Sequence, residues 1–215
     1  MDDAQNDRGA FSPPDLLAAL DLPSVPQQER SRRMRQSLLD AALDLFEARG
    51  YEATSIEEIA ARAESSIGSF YGYFRSKQQV LLVLMQQYLD SLTTLGFDTL
   101  DHTHDALSSL EAVVDRGLGA EQTYIGAYRA WREAAVTDPD LKILDERIMV
   151  WMQAGTVAVI EQARGSRPAR PDFDSQALAV VLTALFLQLS QQRITNRQAV
   201  VRAVTRMIYH AIFPD

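Results

Sequence analysis

The sequence predicts an all-α fold on three observations. Apolar residues recur at helical spacing from residue 31 onward. No segment sustains the alternation of a half-buried strand with β-branched residues. The gaps between periodic segments carry helix punctuation, with cap residues at the starts and glycine or proline at the stops. The first helix is expected over 31–49, where Leu38, Ala41, Ala42, Leu45 and Phe46 form one stripe and Gly50 ends it. "TSIEEIAARA" (54–63) follows as a short helix, with two overlapping capping boxes, Thr54-x-x-Glu57 and Ser55-x-x-Glu58. A third helix is expected over 66–73, and Ser76-x-x-Gln79 opens a fourth that runs to about 95. "GFDTLDHTHD" (96–105) reads as a loop. Further helices are expected over 106–117, 121–136, 140–164, 173–192 and 196–212. The breaks are Gly117/Gly119, Pro139, "GSRPARP" (165–171) and Thr195-Asn196.

The 215 residues include no cysteine, which excludes disulfides, thiolate metal sites and thiol nucleophiles. The start, Met1-Asp2-Asp3, lacks the basic and apolar regions of a secretory signal. The longest apolar run, "ALAVVLTALFLQL" (177–189), is shorter than the ~20 residues that span a bilayer. A cytoplasmic protein without membrane contact is expected. The net charge of −8 is unevenly spread: residues 1–29 hold six acids and one base, whereas "RSRRMR" (30–35) holds four arginines and no acid. An acidic body with one basic edge can still bind DNA, because local potential steers the contact. The expected organisation is a flexible extension (1–29), a small helical domain (30–80) and a larger one (81–215). Within the extension, "PDLLAALDL" (14–22) has the composition for a turn or two of helix.

"SSIGSFYGYFRSK" (65–77) carries the chemistry. Two short helices joined by a tight turn, 55–63 and 66–73, form a helix-turn-helix, whose second helix lies in a DNA major groove. Phe70 and Phe74, four residues apart, share a face and can join Phe46 and Ile59 in a small core. Gly68 and Gly72 lie on nearly the opposite face, which is therefore bare and able to approach another surface closely. Around that stripe stand Ile67, Ser69, Tyr71 and Tyr73. Ser69 suits a base edge or a phosphate, Ile67 a thymine methyl and Tyr71 a phosphate. Thr54, Ser66 and Lys77 sit at helix starts, where phosphate is favoured. Arg32, Arg33 and Arg35 suit further phosphates or the minor groove. Packing and capping alone account for any one of these residues; their combination points to DNA.

Residues 35–82 resemble the DNA-binding domain of the tetracycline-repressor (TetR) family of bacterial regulators. The residues that carry the likeness are Ala41-Ala42, Leu45-Phe46, "GYEATSIEEIA" (50–60), "SIGSFYGYFRSK" (66–77) and Leu81-Leu82. The resemblance implies a homodimer, a palindromic double-stranded operator and a C-terminal helical domain that binds a small effector. It places Thr54, Ser66, Tyr71 and Lys77 at phosphates, and Gly68 and Ser69 at base edges. Two positions depart from the family pattern. Glu64 stands where a glycine is common, and Gly72 stands where a larger polar or basic residue is common.

For the remainder, the last two helices are the expected dimer interface. Val181, Leu185 and Gln188 lie on the first, which is apolar almost all round. Val200, Val204, Ile208 and Ile212 form a stripe on the second. An intrachain core is the alternative for the same residues. Tyr124, Tyr128 and Trp131 on one helix, with Tyr88, Trp151 and Met152, are either core or the lining of a pocket for an apolar or aromatic effector. Arg129, Arg132 and Glu133 read as a solvated face. His102, His104 and Asp105 read as loop rather than a metal site, and no cofactor is called for. No nucleophile elbow, phosphate loop or telling carboxylate pair suggests an enzyme. The expected function is a DNA-binding regulator, a repressor released by its effector. The rival reading is a ligand-binding or scaffolding helical dimer whose helix-turn-helix does not read DNA.

Overall fold

The computed structural model describes residues 12–18, 23, 28–94, 100, 105–171, 173–189 and 193–214. Among them are nine helices and no strand: α1 (Glu29–Arg49), α2 (Ile56–Arg62), α3 (Ile67–Tyr73), α4 (Lys77–Thr94), α5 (Ala106–Thr123), α6 (Ile125–Thr137), α7 (Pro139–Ser166), α8 (Ser175–Leu189) and α9 (Arg197–Ile212). None is long and apolar enough to cross a membrane.

The described residues form two compact units, and these do not follow chain order as the expected division at 80/81 does. The head comprises Asp15–Tyr88 and Tyr124–Asp145, so α6 belongs with α1 to α3 and packs on α1. The body comprises Leu89–Thr123 and Glu146–Asp215, together with the described residues 12–14. The head holds a core of Phe46, Ile59, Phe70 and Phe74, each fully buried. Burying each contributes about 1.5–3 kcal/mol. A side chain on Gly126 of α6 would meet Leu43 O of α1 at 2.3 Å, so this glycine sets how closely α1 and α6 approach. In the body, α5 and α9 pack together, and Leu110, Val114 and Leu118 meet Val201, Val204 and Ile208 in one core.

Three expectations are corrected. The break at Gly117/Gly119 is absent, since α5 runs through both to Thr123. Gly119 makes no turn: it lies within α5, where a Cβ would come 2.8 Å from the Arg197 guanidinium, which bonds the Asp115 carbonyl and carboxylate. The α9 stripe faces inward. Val204, Ile208 and Ile212 are buried in the chain's own core, against α5, and are not free for a second copy. Among its described residues the extension is anchored at Leu16, which is buried and whose N–H donates to Gln86 Oε1 of α4 at 2.8 Å. Residues 16–18 form bends and a turn rather than helix, and 19–22 lie outside the described residues. His102 and His104 also lie outside them, while Asp105 caps α5 by accepting from Leu107 N and Ser108 N.

Candidate nucleic-acid interface

The helix-turn-helix is built from local capping. Of the two possible boxes at the start of α2, Ser55 and Glu58 form the real one: Ser55 Oγ accepts from Glu58 N, and Glu58 Oε2 accepts from Ser55 N. The two bonds from Ser55, with Arg49 beside it, hold the Glu58 carboxyl below its ordinary pKa. The end of α2 closes by a Schellman pattern, with Ser65 N donating to Ala60 O (2.8 Å) and Glu64 N to Ala61 O (3.1 Å). That pattern needs a left-handed residue, and Glu64 supplies it with φ 52°, the only positive value at a non-glycine among the described residues. Ser66 then caps α3 by accepting from Ser69 N.

The two sides of α3 differ as the spacing predicts. Phe70 is buried and stacks near Phe74, with ring centroids 5.8 Å apart. On the other side Ile67 is 44% exposed and Tyr71 is 53% exposed, and Ser66, Gly68 and Gly72 are also exposed. Ser69 and Tyr73 are half-buried. A Cβ on Gly68 would meet only Ser66 Oγ, at 3.9 Å, and one on Gly72 would meet nothing within 4 Å. The fold itself therefore does not require glycine at either position, although each costs a helix about 1 kcal/mol against alanine.

Other predicted contacts are placed differently. Thr54 is 2% exposed, and its hydroxyl donates to Gly50 O at 2.8 Å, so it is packed inside rather than presented to phosphate. Lys77 donates to Tyr51 O (2.6 Å) and Thr54 O (2.8 Å) and lies 4.2 Å from the Tyr51 ring centroid. Two of its three N–H groups thus hold the α1–α2 loop. Burial lowers the Lys77 pKa, opposed by Glu52 and Glu133. Burial first, then Glu52 and Asp138, push the Tyr51 hydroxyl up to about 12. Arg35 is half-buried over the Phe74 ring, 5.0 Å from its centroid, and desolvation lowers its pKa. Arg33 is exposed and pairs with Glu29, and Arg32 is exposed.

The residue that the sequence reading missed is Glu133. It accepts from Tyr51 N (2.7 Å) and Glu52 N (3.1 Å), so α6 grips the same loop from the side opposite in polarity to Lys77. Gly50 makes room for it: φ is +84°, and a Cβ there would lie 2.5 Å from Glu133 Oε2. Arg132 pairs with Asp145 rather than standing free. The glycine before Tyr51 was the visible signal, but not which carboxylate would approach it.

The body encloses a cavity of about 70 Å³. It is lined by aliphatic residues such as Leu110, Val114, Ile160 and Leu182, with Met152, Phe186 and Gly117. No ionisable described residue lines it, and its hydroxyls are those of Thr156 and Thr183. Thr156 Oγ1 donates to Met152 O at 2.9 Å. Thr183 is 3% exposed and its Oγ1 has no partner, a state that costs about 1–3 kcal/mol. Of the six residues expected to line a pocket, Met152 does so. Tyr88, Tyr124 and Tyr128 instead pack as a ring cluster in the head, with Tyr88 centred 5.8 Å and 6.4 Å from the other two. Trp131 is fully buried there and donates to Asp145 Oδ1, and Trp151 is buried in the body away from the cavity lining.

Comparison with known proteins agrees with this architecture. Residues 38–84 match the sequence model of "Bacterial regulatory proteins, tetR family". The transposon Tn10 TetC protein of Escherichia coli is 35% identical over 92 residues, 43% of this chain. That match spans 46% of TetC, less than half of the relative. The transcriptional repressor KstR of Rhodococcus jostii is 24% identical over 196 residues, covering 87% of this chain and 83% of KstR. In structure, the ketosteroid transcriptional regulator KstR2 of Mycobacterium tuberculosis matches with a TM-score of 0.67 at 23% identity, over 89% of this chain and all of that one. With the motif order, the buried aromatic pair and the exposed α3 already in place, these matches show that residues 38–84 are similar to the DNA-binding segment of the tetR family of bacterial regulatory proteins, and that the fold is shared with solved regulators of that kind.

Proposed function

We infer that the chain is a dimeric, sequence-specific transcriptional regulator, a repressor that releases DNA when a small apolar effector fills the body cavity. The carrying observation is the outer side of α3, bare at Gly68 and Gly72 with nothing in the chain that requires it. In this reading Ile67, Ser69 and Tyr71 reach base edges and phosphates, while Lys77 and Glu133 fix the loop that orients α2 and α3. KstR and KstR2, whose matches span most of the chain, are repressors, which supports that sign of regulation.

The dimer in this reading uses α8 with the outer side of α9. Val180 and Val181 are 53% and 57% exposed, Gln188 is exposed, Leu185 and Val200 are half-buried, and Met207 is 43% exposed. The cavity is far smaller than the ~300 Å³ typical of a ligand site. A larger effector therefore fits only if the helices spread, and that differential fit is what shifts the conformational balance. By linkage, operator DNA weakens effector binding by the same factor.

Selection from a pool of random duplexes, followed by fluorescence anisotropy across a salt series, tests the reading. An enriched palindrome with a steep salt dependence is expected. Weak binding without enrichment, in protein freed of small molecules, favours the scaffolding dimer instead.

A further inference from the structure

We propose that Thr183 is the single polar anchor of the body cavity, and that its ligand is a neutral molecule with an apolar body and one hydrogen-bonding oxygen. The proposal rests on the cavity being the effector site. Three features carry it. First, no ionisable described residue lines the cavity, so a charged ligand would enter without a counter-charge. Second, the two hydroxyls in the lining are not equivalent. Thr156 has its proton committed to Met152 O within its own helix, as threonines in helices commonly do. Thr183 sits inside α8 with the Ala179 carbonyl one turn back, yet its Oγ1 bonds neither that carbonyl nor anything else. A buried hydroxyl without a partner, on a residue that lines the cavity, is a vacant donor and acceptor for whatever fills the space. Third, the cavity of about 70 Å³ has room for about five water-sized spheres, so a body the size of one aromatic ring enters only as the lining helices spread, as the effector reading requires.

Thr205 of α9 supplies an internal control. It is 1% exposed and its hydroxyl also lacks a partner, but it does not line the cavity. Removing its hydroxyl makes the same kind of chemical change without touching the site.

The probes are phenol and toluene, which match in shape and differ by a hydroxyl against a methyl. Both are titrated against the full-length protein by methyl chemical-shift NMR, in wild type, Thr183→Val, Thr183→Ser and Thr205→Val. Comparing the ratio of the two affinities between variants cancels the unequal hydration of the probes. The expected result is a phenol-to-toluene affinity ratio about tenfold lower in Thr183→Val. Thr183→Ser, which keeps the hydroxyl, and Thr205→Val both retain the wild-type ratio. Thr183→Val also melts at or above the wild type, since it removes an unsatisfied group. Binding of both probes with an unchanged ratio in Thr183→Val overturns the role of Thr183 and leaves the cavity as a ligand site. Binding of neither probe to any variant overturns the cavity reading itself, and the anchor with it.

Discussion

Glu64 occupies a left-handed backbone position, φ 52°, that glycine fills without strain. Its carboxylate is exposed in the turn that joins α2 to α3. Glu64→Gly is expected to stabilise the head by about 1 kcal/mol and to tighten DNA binding, because strain and a like charge leave together. Thermal melts and anisotropy measure the two effects separately. Gly72→Lys adds a cation where, beyond its neighbours and its own helix backbone, the new Cβ meets nothing within 4 Å. It should raise non-specific affinity and steepen the salt slope by about one unit; equal slopes for the two proteins count against it. At this scale the sequence was legible where a motif position demands a backbone angle, as at Glu64. It was not legible at Thr54 or Lys77. Both read as phosphate contacts by position, yet the loop folds back so that its own carbonyls accept their protons.

Helices, as elements, were readable in number and type but not in what each one faces. The α9 stripe is a clean helical pattern, and a pattern of this kind reports burial without saying whether the neighbour is the same chain or a copy. Val204 and Ile208 face the chain's own core. Glycine was ambiguous in the same way. Gly117 and Gly119 read as a stop, whereas both lie within α5, one bordering a cavity and the other beside the Arg197 guanidinium. The docking of α6 onto α1 turns on a third glycine. Gly126→Ala would drive a methyl into the Leu43 carbonyl and against Glu47 N, so the helices must separate. A loss of about 1–3 kcal/mol is expected. Because Glu133 rides on α6, the grip on Tyr51 N should loosen with it and DNA affinity should fall. Unaltered denaturant midpoint and unaltered hydrogen exchange at Tyr51 would show that α6 does not govern the loop.

For the whole molecule, the formal charge of −8 pointed away from nucleic acid, while the local arrangement of α3 points toward it. The two-unit division could not be read from chain order, since α6 returns to the head after α5 has joined the body. Val181, an apolar side chain 57% exposed on α8, is the position at which the proposed dimer is tested. Val181→Asp should shift the monomer–dimer balance toward monomer by ten- to a hundredfold, read by sedimentation, without lowering the melting temperature of the monomer. Loss of the dimer should also weaken binding to a two-fold operator, whose two half-sites need two linked heads.

The most direct measurement compares wild type and Gly68→Leu on the duplex recovered by selection, with thermal melts of both. The Cβ of leucine meets only Ser66 Oγ, at the edge of contact, on an exposed position, and leucine favours helix over glycine, so Gly68→Leu should melt at or above the wild type. If the bare side of α3 enters the groove, the same change should reduce affinity for the selected duplex about 10- to 100-fold and leave weak non-specific binding in place. Equal affinity for that duplex, at equal stability, would contradict the assignment of α3 as the reading helix.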